Sequence, residues 1–371
     1  MSAAARKLVL HFDVNETIMV GDPAGGDTFE DCLNKCLCKN AFVKIKKDNI
    51  DTNEKWNNYT WHDDTSLDIE KRDNTKEIPC LISDFDGPHL DECLCVYKIP
   101  ELKELYAKTF TEGDSPGVIY RELYEKIEKA MKIPEGCDVD PRLTHDGVHY
   151  LILPSFFYTL QGLQDIDFHL IIRTFGTDGP EIAAAINAWS EGKHPLFPQD
   201  INKPSNIFFP SSSLWEGRFN QETGQYSLKP DPRITSSDNV GSNELNEDGA
   251  VKLMESTKCL MFQDDYFWWK NNGYNPSAGK PLWITHQDDR FHPIFFDDNI
   301  HNDANDSIVS VRERQTSEDP YSPLSGESIR RLQGLYLVRV PTFEAILDQN
   351  WFLDKITQCE QKLQTSGAQI E

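Results

Sequence analysis

A short apolar run near the start of the chain, ending in an acidic residue, constrains the fold more than any other feature of the sequence. Leu8-Val-Leu-His-Phe12 leads directly into Asp13. A strand that is apolar almost throughout, without alternating polar positions, has both faces buried, as in a parallel sheet covered on both sides. We therefore predict an α/β fold in which this run is a strand of a parallel central sheet.

Two later runs repeat the pattern. Phe168-His-Leu-Ile-Ile172 leads to Thr174, and Pro293-Ile-Phe-Phe296 leads to the pair Asp297-Asp298. In an open parallel sheet the carboxyl ends of the strands share one edge, and ligands bind there. We therefore expect these polar side chains to converge with Asp13, although they are far apart in the chain.

Periodicity, prolines and capping residues predict the other elements. Helices are expected over 28–37, 115–131, 154–163, 181–189 and 343–363. Further strands are expected over Ile18–Val20, Ser307–Val311 and Leu335–Val340, and a hairpin over 217–228. The stretch from Lys44 to Gly113 is polar and irregular, which indicates loops and short elements.

Charge limits the classes of partner. The chain has 61 acidic and 37 basic side chains, a formal net charge of −24, and this field disfavours nucleic acid and anionic membrane surfaces. No window approaches the roughly 20 apolar residues of a membrane span, and the N-terminus lacks the features of a signal peptide. With nine cysteines, an odd number, we expect reduced thiols and a cytoplasmic protein. An anionic ligand would need a metal ion or backbone N–H groups to bind.

Three motifs carry a family resemblance. Asp13-Val-Asn-Glu-Thr17 resembles the first motif of the haloacid dehalogenase-like superfamily, Ile171-Ile-Arg-Thr174 its second, and Phe295-Phe-Asp-Asp-Asn299 its fourth. The resemblance covers roughly residues 5–23 and 155–340.

The resemblance implies a domain organisation. Residues 1–23 and 151–371 would form a Rossmann-like three-layer core, with a loop and hairpin insertion at about 190–255. Residues 24–150 would form a cap domain inserted after the first strand, where this family selects its substrates.

The resemblance also implies a magnesium site. Asp13, the backbone carbonyl of Asn15 and Asp297 would supply oxygen ligands, with Asp298 binding the ion directly or supporting a ligand. Mg²⁺ prefers oxygen ligands and keeps several waters, so a few carboxylates suit it.

The same resemblance implies phosphoryl chemistry. Asp13 would attack phosphorus and form an aspartyl-phosphate, while the Thr174 hydroxyl binds a phosphoryl oxygen. A lysine would balance the negative charge. We assign Lys280 to this role, with Lys258 and Lys270 as alternatives. The implied function is Mg²⁺-dependent hydrolysis of a small phosphorylated molecule.

One position departs from the family pattern. Phosphatases of the family carry Asp two residues after the nucleophile, as general acid and base, whereas this chain has Asn15. An amide cannot perform that proton transfer, which typically contributes 10²–10⁴-fold to the rate. Glu16 or His11 would have to substitute for it. The alternative is a binding or scaffold protein that has lost catalysis; metal-independent dehalogenation through Asp13 is a third reading. The sequence identifies no protein partner.

A second acidic pair and three histidines also need an interpretation. Asp264-Asp265 is a second acidic pair, but we interpret it as the start of a helix carrying Tyr266-Phe-Trp-Trp269, whose aromatic residues we expect in the core. His286, His292 and His301 flank the predicted site, and we expect surface or core roles for them.

Overall fold

Strands and helices alternate through most of this computed structural model. It describes residues 6–21, 26–46, 58–73, 75–82, 93–198, 205–233, 244–300, 307–324 and 326–367. The strands are β1 Lys7–Asp13, β2 Phe42–Ile45, β3 Tyr59–Trp61, β4 Cys93–Cys95, β5 Phe168–Thr174, β6 Leu214–Phe219, β7 Tyr226–Pro230, β8 Cys259–Gln263, β9 Lys280–Thr285, β10 Phe291–Asp297, β11 Val309–Arg314, β12 Ser322–Pro323 and β13 Leu337–Arg339. The helices are α1 Phe29–Cys38, α2 Pro100–Tyr106, α3 Arg121–Met131, α4 Pro154–Gly162, α5 Gly179–Ser190, α6 Glu247–Ser256, α7 Tyr266–Asn271, α8 Gly326–Arg330, α9 Thr342–Leu347 and α10 Trp351–Gly367.

The chain forms two compact units. The first comprises Met1–Met19, Ile133–Val340 and Asp348–Glu371, and the second comprises Val20–Lys132 and Pro341–Leu347. The predicted cap, residues 24–150, stays a prediction. Within the described part of the chain, no helix is both long and apolar enough to cross a membrane.

The first unit is organised around a seven-stranded sheet with the order β13-β10-β1-β5-β8-β6-β7. All neighbouring pairs are parallel except β6 and β7, which pair antiparallel at one edge. The mixed α/β class with a mostly parallel central sheet is therefore confirmed. The three apolar runs that led to this prediction are the adjacent strands β10, β1 and β5.

The strand order reverses beside β1. From β1 the chain goes to β5 and β8 on one side, and it returns to the other side of β1 with β10. In sheets of this kind the crevice for a ligand opens outside the carboxyl ends of the strands where the order reverses. The ends of β1 and β10 therefore mark the candidate site.

Both faces of β1 are buried, as its apolar composition predicts. On one face Phe12 packs edge-on against Phe156 of α4 and Phe352 of α10, with ring centroids 5.1 and 5.4 Å away. On the other face Val9 joins a buried cluster that includes Met254 of α6 and Trp283 of β9.

A small sheet with the order β12-β11-β9 contributes a second cluster in the first unit. Leu282 of β9 and Val309 of β11 are buried together with Phe295 of the central sheet. Packing against Phe295 brings the start of β9 towards β10. Sequence reasoning treated residues 280–284 as a connection and did not predict β9.

The second unit combines helices with a three-stranded antiparallel sheet, order β3-β2-β4. Helix α1 begins with reciprocal hydrogen bonds between Thr28 and Asp31, each side chain accepting from the other's backbone N–H. Its buried Asn34 accepts hydrogen bonds from the backbone and hydroxyl of Thr111. The polar composition of this region concealed the sheet.

Some predicted boundaries are wrong. Ile18–Val20 is not a strand, because Met19 makes only isolated bridges with Asn15 and Ile152. The predicted strand Ser307–Val311 begins at Val309 and belongs to the small sheet. The predicted helix 343–363 is two helices, α9 and α10. Asp348 separates them, because its side chain accepts from the backbone N–H of Asn350 and competes with helical bonding.

The predicted helix 115–131 also divides. A 3₁₀ turn, Pro116–Tyr120, precedes α3. Ser115 caps this turn by accepting from the N–H of Gly117. The helices predicted near 28–37, 154–163 and 181–189 are confirmed as α1, α4 and α5.

Candidate metal and phosphate site

Three buried carboxylates meet where β1 and β10 end. Asp13 and Asp297 are the last residues of these parallel strands, and Phe12 is in register with Phe296, so the ends lie side by side. One carboxylate oxygen from each of Asp13, Asp297 and Asp298 lies within 4.8 Å of the other two. The three residues are 5, 0 and 4% exposed. This is the convergence that the strand-end pattern predicts.

Lys280 joins the carboxylates. It is the first residue of β9 and is 1% exposed. Its ammonium contacts Asp13, and Nζ lies 2.8 Å from Oδ2 of Asp297. The alternative Lys258 lies elsewhere, with its ammonium 3.8 Å from the centre of the Phe168 ring, and Lys270 is exposed on α7.

Thr17 connects the acidic residues in a way that sequence reasoning missed. Its hydroxyl donates to Oδ2 of Asp13 at 3.1 Å and accepts the backbone N–H of Asp298 at 3.0 Å. The backbone N–H of Asn299 donates to Asp297 at 2.9 Å, and its side-chain amide donates to Asp298 at 2.9 Å. Thr17 closes the first quoted motif, so its position four residues after Asp13 was the available signal.

Two of these carboxylates, Asp13 and Asp297, share the single ammonium of Lys280. Burial raises the pKa of Asp13 well above its ordinary value, and the charges of Asp297 and Asp298 raise it further. Burial likewise raises the pKa of Asp297. Burial alone would lower the pKa of Lys280, but the two carboxylates that it contacts outweigh this and raise it, so the ammonium stays protonated. Asp13 and Asp297 therefore share one counter-charge.

A hard divalent cation fits this donor set. The three side chains that converge offer only carboxylate oxygens, which suit Mg²⁺ or Ca²⁺ and not the softer metals. Asn15 stands two residues beyond β1, and its side-chain oxygen is buried without a hydrogen-bond partner among the described residues. Mg²⁺ would be held by Asp13 and Asp297, with Asp298 and the backbone carbonyl of Asn15 as the other predicted ligands.

Thr174 and Asn15 share a partner that sequence reasoning did not identify. The Thr174 hydroxyl donates to Oδ1 of Asp178 at 2.8 Å and accepts from the N–H of Gly176 at 2.8 Å. The side chain of Asn15 also hydrogen-bonds Asp178, and burial raises the pKa of this carboxyl group. The only sequence signal was an acid four residues after Thr174, just before α5. Asp178 therefore connects Thr174 to Asn15, and the charge of Lys280 acts on its carboxyl group.

The second acidic pair has a different environment. Asp264 receives two hydrogen bonds from Arg173, from Nε at 2.9 Å and from Nη2, and both residues are essentially inaccessible to solvent. Asp265 caps α7 by accepting the N–H of Trp268, and it also accepts the N–H of Phe219. The expectation that this pair begins a helix and is separate from the metal site agrees with these contacts.

The two residues considered as replacement acids differ. His11 is buried and stacked on Phe295, and its Nδ1 lies 3.2 Å from Arg173. Burial, reinforced by Arg173, lowers the pKa of His11 well below its ordinary value, so it is not a proton donor at neutral pH. Glu16 is buried and has a φ of 57°, in the left-handed region.

The other predicted residues lie apart from this network. His286 pairs with Glu313 at 2.6 Å, and buried His292 donates to the carbonyl of Leu335 at 2.8 Å. His301 lies outside the described residues. The aromatic residues of α7 are not all core residues: Trp268 stacks on Phe219, but Tyr266 and Phe267 are 37 and 72% exposed.

A cavity of about 630 Å³, including its part open to solvent, lies at the other end of the same strands. Val9, Trp283, Phe291 and Tyr321 are among its lining residues, whereas the carboxylates and Lys280 are not. The cavity is therefore separate from the carboxylate cluster, despite its size.

No family model, curated protein or solved structure matches this chain. The motifs, the strand order and the geometry of the carboxylate cluster are therefore the features that bear on the function of this chain.

Proposed function

We propose that this chain is a haloacid dehalogenase-like protein with a Rossmann-like core, the second unit serving as its cap, and that it hydrolyses a small phosphate ester with Mg²⁺. The observation that carries the proposal is the meeting of Asp13, Asp297, Asp298 and Lys280 where the strand order reverses. Three buried carboxylates that converge suit a cation, and a cation together with the ammonium suits a phosphate.

The reaction would take place on Asp13. A carboxylate oxygen of Asp13 attacks phosphorus, the bond from phosphorus to the ester oxygen breaks, and the alcohol leaves after taking a proton from water. Water then attacks the aspartyl-phosphate, which releases inorganic phosphate and restores the carboxylate. Bound Mg²⁺ would neutralise charge on the phosphate and on its carboxylate ligands.

Each neighbouring group has a role in this scheme. Lys280 bridges Asp13 and Asp297, so its charge offsets the negative charge that arrives with the phosphate. Thr17 orients Asp13 by donating to Oδ2, while Lys280 contacts the other carboxylate oxygen, Oδ1. Thr174 would donate to a phosphoryl oxygen after turning its hydroxyl away from Asp178.

A binding protein is the second candidate, and Asn15 favours it. Its amide hydrogen-bonds Asp178 and cannot transfer a proton to a leaving group. A chain with an intact phosphate site and no efficient acid would hold a phosphorylated ligand without turning it over.

The deciding experiment is a panel of small phosphate esters with Mg²⁺, run on the wild type, Asp13→Ala and Asn15→Asp. Hydrolysis by the wild type that disappears in Asp13→Ala supports the enzyme. Hydrolysis that persists in Asp13→Ala overturns it. A silent wild type with activity gained in Asn15→Asp supports the binding protein. Asp288→Asn is a matched control, because it removes one carboxylate at a position outside the cluster.

A further inference from the structure

Five aromatic residues form a continuous wall beside the candidate site, and we call them the aromatic wall: Phe175, Tyr266, Phe267, Trp269 and Tyr274. Phe175 directly follows Thr174, and the Lys280 ammonium lies 4.9 Å from the centre of its ring. This is the ammonium that bridges Asp13 and Asp297. The wall therefore begins at the carboxylate cluster itself.

The rings contact one another in sequence towards the surface. Trp269 stacks on Phe175 with centroids 5.2 Å apart, and Tyr266 meets Phe175 edge-on at 5.8 Å. Phe267 then meets Tyr266 at 5.9 Å, and Tyr274 meets Trp269 at 4.9 Å. Two ring-to-ring steps lead from the partly buried Phe175 to the exposed Phe267.

Core packing does not account for the outer part of the wall. Phe267 is 72% exposed, Tyr274 is 48% exposed and Tyr266 is 37% exposed. Single exposed apolar residues are ordinary, but a contiguous exposed aromatic patch marks a binding surface. Trp269 adds a buried indole N–H that has no hydrogen-bond partner among the described residues.

We propose that the aromatic wall binds an aromatic ring in the alcohol part of the substrate, so that the preferred ligand is a phosphate monoester of an alcohol bearing an aromatic ring. This inference rests on the proposed function, since the phosphate occupies the site beside Lys280. A ring in the alcohol part of the substrate can reach the aromatic wall, because Phe175 contacts the Lys280 ammonium next to which the phosphate would bind. Aromatic pairs in offset or edge-on geometry are stabilised by more than the burial of their apolar surface. The wall therefore distinguishes a ring from an alkyl chain of similar size.

The test separates binding from hydrolysis. The dissociation constants of phenethylphosphonate and hexylphosphonate, which cannot be hydrolysed as esters, are measured by calorimetry in the presence of Mg²⁺. Both have an alkylphosphonate group and a similar apolar size, and they differ in the ring. The wild type is expected to bind the aromatic ligand about 3- to 10-fold more tightly.

Two variants test whether the aromatic wall causes the preference for the aromatic phosphonate. Phe267→Ala removes an exposed side chain, so the fold should persist, and it is expected to reduce the preference about 2-fold or more. Phe208→Ala is the matched control, because Phe208 is 54% exposed and is not part of the wall. It should retain the wild-type preference.

The outcomes separate this inference from the proposed function. If the two phosphonates bind equally, or neither binds, the aromatic wall has no such role. If the aromatic ligand is preferred but the phosphate esters of phenethyl alcohol and hexanol are not hydrolysed, the proposed enzyme fails and the binding inference stands. If hydrolysis occurs, the phenethyl ester should have the lower KM by a similar factor.

Discussion

Two acidic pairs stand at the ends of strands in the same sheet, and they have opposite electrostatic environments. Asp264-Asp265 follows β8, and Asp297-Asp298 includes the last residue of β10. Each pair comes after a short apolar run, so the sequence pattern is nearly the same. The difference is that Arg173 donates two hydrogen bonds to Asp264, whereas Lys280 is shared between Asp297 and Asp13.

In the β8 pair, the chain itself supplies the partners. Arg173 donates two hydrogen bonds to Asp264, which matches one carboxylate with one guanidinium. Asp265 accepts two backbone N–H groups. This pair therefore needs no further cation.

The β10 pair shares its counter-charge. Asp297 and Asp13 both contact the ammonium of Lys280, and Asp298 completes the three-carboxylate group. An acidic pair after a strand is therefore a candidate metal site when it shares a counter-charge with a third carboxylate, as Asp297 shares Lys280 with Asp13.

The largest expected effect is the loss of hydrolysis in Asp13→Asn. Asparagine has nearly the same shape as aspartate, but it cannot form the aspartyl-phosphate, so kcat should fall at least about 10³-fold. Phosphate release in the presence of Mg²⁺ measures this loss, and Asp288→Asn should keep the wild-type rate. Comparable rates in Asp13→Asn and the wild type would remove Asp13 from the chemistry.

Asp264→Ala should affect stability instead. It leaves the guanidinium of Arg173 buried without its carboxylate, which is expected to cost about 3–5 kcal/mol of unfolding free energy. Urea unfolding measures the loss. Adding Arg173→Met in the same chain should recover a large part of it, since the uncompensated charge is then gone. An unchanged midpoint in Asp264→Ala would mean that this ion pair is not structurally important.

The sequence predicted the part of the site that follows from strand geometry. An apolar run before each acid was enough to predict that Asp13 and Asp297 end parallel strands and converge at one edge of the sheet. The lysine that pairs with these carboxylates was harder to assign. Lys280 begins β9, and the packing of β9 against Phe295 cannot be recognised from the local sequence. Lys258 and Lys270 were therefore kept as alternatives.

The roles of Asp178 and Thr17 show the same limit. Their hydrogen bonds depend on how a loop and a turn fold back towards the strand ends, which hydrophobic periodicity does not reveal. The aromatic residues of α7 were predicted as core because composition does not indicate which side of a six-residue helix faces solvent.

Mg²⁺ should stabilise the folded chain through the β10 pair and not through the β8 pair. At a concentration of about 100 times its dissociation constant, the ion is expected to add about 2.7 kcal/mol to the free energy of unfolding. Thermal unfolding with Mg²⁺ and with a chelator measures the difference. Asp297→Asn should remove most of this difference. An equal shift in both chains would place the binding site elsewhere.

Mg²⁺ binding should weaken as the pH falls. Because burial and neighbouring carboxylates raise the pKa of Asp13, this group must lose its proton before it can bind the ion. Affinity should fall by up to about tenfold per pH unit for each proton released. Calorimetric titrations between about pH 8 and pH 6 test the slope, and a pH-independent affinity would contradict it.

In the metal-free protein, the folding stability should depend on pH with the opposite sign to the Mg²⁺ affinity. A carboxyl group whose pKa is raised in the folded state holds its proton longer there than in the unfolded chain. Folding stability therefore decreases as the pH rises from the unfolded-state pKa through the folded-state pKa. Asp13→Asn should reduce this dependence, whereas Asp288→Asn should not, because the pKa of Asp288 is lowered by its hydrogen bond with Arg290.

The smallest expected effect concerns Asp265, the other member of the β8 pair. Its side chain accepts the N–H of Trp268 at the start of α7, so Asp265→Ala should cost about 1 kcal/mol of unfolding free energy. Asp265→Asn retains a side-chain acceptor and should cost less. Neither variant should change the stabilisation by Mg²⁺, because neither removes a carboxylate of the cluster around Lys280. If Asp265→Ala abolished the Mg²⁺ effect, the two acidic pairs would act on one ion, and the contrast drawn from their counter-charges would be wrong.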